Sequence, residues 1–321
     1  MTTASCCGTR SALLVAVLLA LGGCSSAEDP AAPSPTTSAT SSKTEAAAPS
    51  STPEVPRGEL AEDPVQIADD LVDDDRTLRD PSSSEAARAA AAQRQQAAYR
   101  MLGRDLDRES IVRTRMPPGL LECYDRNIDA RRNLAALGQS SGIRDTVPAW
   151  RIVTPAPADE LLAHYREAEA ATGVPWAHLA AINFIETGFG RIEGTSTAGA
   201  QGPMQFMPTT WAEYGAGGDI HAPRDAIMAA ARFLAAQGFT ADRDNALFRY
   251  NNSDRYVRAV NDYAAVMDSD PAAFRGYHRW QVYYVTTAGD VLLPLGYSET
   301  APIPVAEYLA RPSASPPRPT R

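Results

Sequence analysis

Residues 175–188 read PWAHLAAINFIETG, the stretch that decides the fold class. The proline at its start suits the first turn of a helix, where a missing N–H costs little, and the glycine at its end is a common stop signal. On a wheel of about 100° per residue, Glu186 falls inside the apolar stripe, between Leu179 and Ile182. The stretch therefore predicts a helix that buries its apolar face and carries one acid near its C-terminus.

The position of Glu186 also predicts an unusual protonation state. Apolar surroundings disfavour a carboxylate, and a helix C-terminus is the negative end of the helix dipole, so both raise the pKa of a carboxyl group. A carboxyl that stays protonated near neutral pH is what a general acid requires. Helical periodicity alone leaves a second interpretation open, in which the wheel drifts at the helix end and Glu186 faces water.

Helical periodicity recurs on both sides of this stretch and predicts a mainly α chain. The expected helices span 86–106 and 120–138, which form an N-terminal pair, and then 159–172, 223–238 and 253–267. Strand-like residues are scarce until 280–285, which a turn could connect to 291–293 as one β-hairpin.

The charge distribution argues against a nucleic-acid binder. The net charge is −9, but residues 59–80 hold nine acids and two bases, whereas residues 81–321 hold 26 acids and 25 bases. The presumed folded body is therefore nearly neutral and lacks the basic face that nucleic acids require. Lys43 is the only lysine and precedes that body, which excludes Schiff-base chemistry and a P-loop. The four histidines have no metal-binding spacing, so we expect neither a metal nor a cofactor.

The N-terminus predicts export and a lipid anchor. Arg10 precedes an apolar run at 12–21 and the small residues before Cys24, as in a secretory signal. The run LGGC at 21–24 resembles the bacterial lipobox, so we expect residues 1–23 to be a lipoprotein signal peptide and Cys24 to be lipidated. An ordinary signal peptide that ends beside a cysteine is the alternative. A lipidated cysteine would anchor an extracytoplasmic protein to the cell membrane.

Two segments are expected to be disordered. Residues 24–83 form the tether that follows the anchor: 25–57 are rich in Ser, Thr, Ala and Pro, and acids dominate the rest. Such composition offers too little apolar surface to offset chain entropy. Residues 299–321 are expected to be a second disordered tail. The folded parts would then be a helical N-terminal region at 84–147 and a domain with the C-terminal hairpin at 148–298.

Cys123 is the only cysteine in the folded body. Because Cys6 and Cys7 would be removed with the signal peptide, Cys123 has no disulfide partner in the mature chain. It lies on a predicted helix without a histidine at helical spacing, which favours a buried structural thiol over a nucleophile.

Three motifs follow one another in order: IETGFGR at 185–191, STAGAQGPMQFMP at 196–208, and Tyr250-Asn251. They resemble the Glu-Ser, Gly-Leu-Met-Gln and Ala-Tyr-Asn marks of the lytic transglycosylases of the lysozyme superfamily, most of all the membrane-bound lytic transglycosylase B type. The resemblance covers about 159–268 and implies a lysozyme-like helical domain.

The motifs depart from the family pattern at three positions. Thr187 stands where the family has serine and keeps the hydroxyl group. Pro203 replaces leucine, and Arg249 replaces the alanine before Tyr-Asn. The aspartate-rich calcium loop of some relatives is not visible, which gives metal dependence no support.

The resemblance implies that Glu186 is the single catalytic residue. The family reaction cleaves the β-1,4 bond between N-acetylmuramic acid and N-acetylglucosamine in peptidoglycan. Glu186 would first protonate the glycosidic oxygen and then take a proton from the muramic 6-hydroxyl, which attacks the anomeric carbon and leaves a 1,6-anhydro end. Tyr250 would hold or orient Glu186, and Met204 would pack beneath the sugar. The other substrate-binding residues that the resemblance implies are Thr187, Ser196, Gln205 and Asn251.

Simpler interpretations of individual residues stay open. Tyr250 could belong to the core, and Met204 could fill a gap in it. Glu193 and Asp219 are the nearest candidates for a second acid, but both lie in predicted loops without a motif, so we expect structural roles for them. Four aromatic residues could stack on sugars, although packing of the hairpin against the helices is favoured: Tyr277, Trp280, Tyr283 and Tyr284.

The function implied by the resemblance also has two rivals. One is a hydrolytic muramidase on the same fold, with water as the nucleophile. The other is a non-catalytic peptidoglycan-binding lipoprotein that keeps the cleft without turnover. In all three cases the expected partners are peptidoglycan glycan strands and the membrane, and we expect a monomer.

Overall fold

A computed structural model describes residues 60–140 and 142–311 of the protein. The predicted signal peptide, Cys24 and the first part of the predicted tether lie outside the described residues, as do residues 312–321. Within the described ranges the chain forms twelve helices and six short strands. The prediction of a mainly α fold is therefore confirmed.

Four helices form the N-terminal part of the described chain. They are α1 (Pro64–Arg79), α2 (Glu85–Leu102), α3 (Leu106–Arg115) and α4 (Pro118–Ser140). Seven more helices follow: α5 (Ala158–Thr172), α6 (Trp176–Thr187), α7 (Pro208–Tyr214), α8 (Pro223–Ala236), α9 (Arg243–Tyr250), α10 (Asp254–Ser269) and α11 (Pro271–Tyr277). A last short helix, α12, spans Val305–Leu309.

The strands pair two by two in antiparallel fashion. They are β1 (Thr146–Val147) with β6 (Ile303–Pro304), β2 (Arg151–Ile152) with β3 (Ile192–Glu193), and β4 (Val282–Thr286) with β5 (Gly289–Leu293). The last pair is the predicted C-terminal hairpin, joined by the two residues between Thr286 and Gly289. Four of these strands, β1, β2, β3 and β6, were not anticipated from the sequence.

Two hydrophobic cores organise the fold. The larger one joins the helices: α10 packs against both α4 and α6, and α5 packs against α8, so the N-terminal helices and the later ones share one core. The smaller core lies beneath the strand pairs and includes Trp150, Tyr284 and Tyr308. The cleft described below lies between these two parts.

The prediction of disorder across 24–83 is wrong for its last part, because α1 is a helix of the folded body. Asp63 caps it by accepting a hydrogen bond from the N–H of Val65. Its apolar side chains, Ile67, Ala68 and Leu71, are buried in the larger core. The acids that suggested disorder mostly occupy its other faces, and the one buried acid, Asp74, pairs with Arg94 of α2.

The expected N-terminal pair of helices is also wrong in number. The chain from 64 to 140 forms four helices, and a separate helix, α3, follows the turn at Gly103. Asp105 starts α3 by accepting a hydrogen bond from the N–H of Arg108. A helix of ten residues with two buried side chains, Glu109 and Val112, leaves little apolar periodicity to find in the sequence.

The prediction of a disordered tail over 299–321 is wrong for its first part. Residues 303–304 pair with β1, and α12 follows at once. Val305 and Tyr308 of α12 are buried in the smaller core, and the Tyr308 hydroxyl donates to the Leu292 carbonyl. Two buried apolar side chains are enough to fix this segment.

Within the part of the chain that the structure describes, no helix has the length and apolar character needed to cross a bilayer.

Candidate active site

The helix α6 ends directly after Glu186, and its end is fixed by backbone geometry. Gly188 adopts a left-handed conformation with φ of 60° and donates its N–H to the Phe184 carbonyl. The N–H of Phe189 donates to the Asn183 carbonyl, so two carbonyls of the last turn are satisfied. The chain therefore leaves the helix sharply, and the final turn keeps Glu186 on the buried face.

Glu186 is almost completely buried, with 1% of its surface exposed. Its Oε1 accepts a hydrogen bond of 2.8 Å from the Tyr256 hydroxyl, and its Oε2 has no hydrogen-bond partner in the described chain. Burial raises the pKa of Glu186 to about 8, and the bond from Tyr256 opposes this rise because it favours the ionised form. The alternative in which Glu186 faces water is thereby excluded, and the carboxyl is mostly protonated at neutral pH.

The hydroxyl that holds Glu186 belongs to Tyr256, not to Tyr250 as the resemblance implied. Tyr250 instead donates its hydroxyl to the Met204 carbonyl at 2.6 Å. The two tyrosine rings lie parallel, 6.5 Å apart between centroids, so Tyr250 supports Tyr256 from behind. Tyr250 thus acts on Glu186 only through its neighbour.

We expect Tyr256→Phe to shift the alkaline limb of the activity profile to higher pH. The variant loses the hydrogen bond that lowers the pKa of Glu186, so the carboxyl should keep its proton to a higher pH. Tyr250→Phe is the matched control, because it removes a buried hydroxyl that contacts Met204 and not Glu186. Rates of peptidoglycan solubilisation across pH measure both variants, and an equal shift in the two would contradict the assignment.

A buried polar network ties α6 to the following loop. The Thr187 hydroxyl donates to the Pro203 carbonyl at 2.6 Å and accepts from the N–H of Gly190 at 2.9 Å. The Asn183 amide donates to the same carbonyl at 2.8 Å and accepts from the Tyr165 hydroxyl. The resemblance implied that Thr187 binds substrate, but the hydrogen of its hydroxyl is already donated to the Pro203 carbonyl within the protein.

The loop after α6 turns tightly between Gln201 and Phe206, which form a backbone bridge. Gly202 has φ of 72°, and a Cβ there would collide with the Ile220 carbonyl. Gln205 also has a left-handed backbone, with φ of 51°, and its side-chain nitrogen donates to the Gly202 carbonyl at 3.0 Å. This strained turn holds the Gln205 side chain beside Glu186.

A cleft of about 140 Å³ lies over Glu186. Four of the predicted site residues line it: Glu186, Thr187, Ser196 and Gln205. The opposite wall comes from the segment before β2 and from the C-terminal part of the chain, with Pro148, Trp150, Tyr284 and Pro302. The cleft is thus formed between the helical body and the strand pairs.

The other three predicted binding residues lie behind this surface. Met204 is fully buried, so its side chain has no face for a sugar, and the gap-filling interpretation is the better one. Tyr250 is a core residue with 2% of its surface exposed. Asn251 ends α9 and is 5% exposed, with a side-chain nitrogen that has no partner among the described residues. None of the three is among the residues that line the cleft.

Glu186 is the one carboxyl among the residues that line the cleft in the described chain. Glu193 is not among these residues and forms an ion pair of 3.0 Å with Arg151, with half of its side chain exposed. Asp219 accepts a hydrogen bond from the N–H of His221 and lies in the loop before α8. Neither acid is placed to act on a group held at Glu186.

Several residues of the site were not found from the sequence. Tyr256 lies in the helix predicted at 253–267, and a tyrosine among the apolar residues of that helix is the signal that could have marked it. Trp150 was not considered, although its indole lines the cleft and packs edge-on against Tyr284. Asn183 is fully buried at the centre of the network, and a polar residue in the middle of an apolar helix could have drawn attention to it.

The remaining candidates have structural surroundings. Burial raises the pKa of the Cys123 thiol to about 12, which makes it a poor nucleophile. Tyr277 and Trp280 are buried in the larger core, whereas Tyr283 lies under the guanidinium of Arg100. In the described residues there is no group of three or more His, Cys, Asp or Glu side chains that could hold a metal ion.

Residues 194–246 match the family model described as the transglycosylase SLT domain. No curated protein and no solved structure matches the chain significantly. The matched segment contains Ser196, the turn at Gly202 and Gln205, and it begins after Glu186. The match therefore supports an enzyme of a lytic transglycosylase family that acts on peptidoglycan.

Proposed function

We propose that the protein is a peptidoglycan lytic transglycosylase of the membrane-bound B type. It cleaves the β-1,4 bond between N-acetylmuramic acid and N-acetylglucosamine and forms a 1,6-anhydro end. The observation that carries this proposal is the site itself: one buried carboxyl with a raised pKa borders a cleft in which the described chain offers no second acid. The family match to the adjoining loop supports the same substrate.

Glu186 performs both proton transfers of the reaction. Because its pKa is about 8, it is protonated before turnover and can donate that proton to the glycosidic oxygen as the bond breaks. The carboxylate that remains accepts the proton of the muramic 6-hydroxyl, whose oxygen forms the new bond to the anomeric carbon. Glu186 gives up one proton and recovers one, so it is protonated again at the end of the reaction. Tyr256 keeps Oε1 fixed throughout and leaves Oε2 for the transfer.

The absence of a second acid among the described residues that line the cleft favours this route over hydrolysis. Glycosidases of the common kinds use two carboxyl groups, about 5–10 Å apart, one as the acid and the other as nucleophile or base. Here the substrate supplies its own nucleophile, so one carboxyl is enough.

Gln205 and Ser196 are the side chains best placed to bind the sugar. Both line the cleft beside Glu186, and both carry groups that hydrogen-bond N-acetyl or hydroxyl oxygens. Met204 and Tyr250 act behind them, since the Tyr250 hydroxyl binds the Met204 carbonyl and the Tyr250 ring stacks on Tyr256. Of the residues in the family motifs, some would thus contact the sugar directly, and others hold those residues in place from within the protein.

The products of digestion test the proposed function. Purified peptidoglycan treated with the protein should release muropeptides that end in 1,6-anhydro-N-acetylmuramic acid, each lighter by one water than the hydrolytic product. Mass spectrometry of the released fragments distinguishes the two. Reducing ends as the main product would assign the protein as a muramidase instead.

The proposed enzyme acts outside the cytoplasm from a lipid anchor at Cys24. The lipobox-like run LGGC and the location of peptidoglycan outside the membrane both favour this arrangement. We expect Cys24→Ala to move the protein from the membrane fraction to the soluble fraction. Cys7→Ala is the matched control. Cys7 lies within the predicted signal peptide, so its substitution should leave the protein in the membrane fraction. A Cys24→Ala protein that stays membrane-bound would contradict the anchor.

A further inference from the structure

The wall of the cleft that faces Glu186 contains a polar group without an assigned role. Tyr284 of β4 lines the cleft and is 8% exposed. Its ring packs edge-on against Trp150, with 5.3 Å between the centroids, so its position is fixed. No hydrogen bond to its hydroxyl is formed by the described residues, so the hydroxyl is free to bind a ligand.

Arg144 lies beside Tyr284 on the same face of the hairpin. Arg144 forms a backbone bridge with Thr286, and its carbonyl accepts from the N–H of Thr287 at 2.8 Å. Side chains two residues apart on a strand share one face, so Thr286 and Tyr284 point the same way. Burial raises the pKa of Tyr284, and the positive charge of Arg144 opposes that rise, as expected for a guanidinium close to the hydroxyl.

The Arg144 guanidinium is half-buried and has no acceptor within the part of the chain that the structure describes. Its Nε and Nη2 are both shielded from solvent without a hydrogen-bond partner, and it forms no ion pair there. Its neighbour Arg151, by contrast, is paired with Glu193. Buried donors without acceptors are costly, so an arrangement of this kind is expected where a ligand supplies the acceptor.

The two unpaired donors define the chemistry of that ligand. Nε and Nη2 form one edge of the guanidinium, and this edge matches the two oxygens of a carboxylate in a bidentate pair. A carboxylate also suits the adjacent tyrosine hydroxyl as a third donor. A neutral sugar would leave the charge of Arg144 without a counter-ion.

We propose that Arg144 is a specificity-determining residue that binds a carboxylate of the muramoyl unit held at Glu186, with Tyr284 as the second donor. This inference rests on the proposed function. The muramoyl unit has two sources of this group: the lactyl carboxylate of a strand without peptides, and the carboxylates of a stem peptide. Arg144 itself is not among the residues that line the present cleft, which is smaller than the roughly 300 Å³ of ordinary ligand sites. The proposal therefore includes an opening of this wall that turns the guanidinium toward the substrate.

Binding to the full-length Glu186→Gln protein tests the proposal without turnover. The probes are peptide-free glycan strands, the same strands after carbodiimide amidation of their carboxylates, and peptide-bearing strands. Isothermal titration should show that Arg144→Gln weakens binding to a carboxylate-bearing probe by about 10-fold or more and leaves binding to the amidated strands within about two-fold. A loss confined to peptide-free strands identifies the lactyl carboxylate, and one confined to peptide-bearing strands identifies the stem.

Two further variants make the test specific. Arg144→Lys keeps the charge without the bidentate edge, so it should lose part of the affinity for the same probe and remains informative if Arg144→Gln fails to fold. Arg151→Gln is the control, because Arg151 is exposed and already paired with Glu193, and it should bind all three probes as the parent does.

An equal loss on the amidated strands, or no loss on any carboxylate-bearing strand, would overturn the proposal. Failure of the proposed function is a separate result. Hydrolytic products from the active enzyme would contradict the proposed reaction but not the carboxylate preference assigned to Arg144. A missing carboxylate preference would contradict the role of Arg144 but not the formation of the anhydro product.

Discussion

The Glu186→Gln protein should lose peptidoglycan-cleaving activity by about 10³-fold or more. General acid or base catalysis is worth about 10²–10⁴-fold, and here one carboxyl serves as the acid and then as the base. Glutamine keeps the size of the side chain and can accept the Tyr256 hydrogen bond, but it can neither give nor recover a proton. The measurement is the initial rate of muropeptide release from purified peptidoglycan.

The control for this loss is Glu193→Gln. Glu193 lies seven positions further along the chain and is paired with Arg151 outside the cleft, so its variant should retain near wild-type activity. A Glu186→Gln protein that keeps more than about a tenth of the wild-type rate is incompatible with general acid–base catalysis by this residue.

The stability of the same variant gives an independent test of the raised pKa. The folded state holds Glu186 protonated up to about pH 8, whereas the unfolded chain ionises it near 4.5, so the folded state binds more protons between these values. Wild-type stability therefore falls as pH rises from about 4.5 to 8. Glutamine has no such penalty, so the variant should be more stable by about 3 kcal/mol at pH 7 and should show no advantage at pH 4. Urea unfolding of both proteins across pH measures this difference.

Gly202→Ala should be the most damaging small substitution in the site, destabilising the protein by about 3 kcal/mol. A methyl group at this position collides with the Ile220 carbonyl, a backbone atom, and the left-handed φ of 72° adds a further cost for alanine. Because the turn also holds Gln205, activity should fall with stability. The free energy of unfolding from urea titration measures the first effect.

Gly199→Ala is the matched control for this substitution. Gly199 lies in the same loop with a φ of 92°, but a Cβ there would meet nothing within 4 Å. Gly199→Ala should therefore lower the free energy of unfolding only by the cost of alanine in a left-handed backbone conformation, about 1 kcal/mol. If the two variants were equally destabilised, the close approach between Gly202 and Ile220 would be wrong.

The features predicted correctly from the sequence depend on local periodicity. The helix α6 and its end at Gly188 follow from apolar residues at helical spacing and a glycine stop within one stretch, whereas the burial of Glu186 was one of two interpretations that this periodicity left open. The C-terminal hairpin likewise follows from two strand-like runs close together in the chain.

The features that sequence reasoning missed depend on tertiary contacts. Tyr256 reaches Glu186 from a helix 70 positions further along the chain, and the cleft wall joins Trp150 to Tyr284 across a still longer separation. Nothing in either local pattern indicates these pairings. Tyr250 of the predicted motif lies behind the cleft and contacts Met204, whereas Tyr256 of the next helix contacts the carboxyl.

The predictions of disorder were wrong where the average composition of a segment was given more weight than the spacing of its apolar residues. In α1 five acids are interspersed among the apolar residues, yet Ile67 and Leu71 lie at helical spacing on a single buried face. In the C-terminal segment, two apolar residues of α12 are enough for packing on the smaller core. Average composition cannot reveal a stripe this narrow.

The central claim is that the muramic 6-hydroxyl, and not water, attacks the anomeric carbon at Glu186. Digestion of purified peptidoglycan in water enriched in heavy oxygen, followed by mass spectrometry of the fragments, tests it most directly. We expect anhydro-muramic ends without incorporated label, because no water oxygen enters the product. Labelled reducing ends on the primary fragments would contradict it and would show that water is the nucleophile.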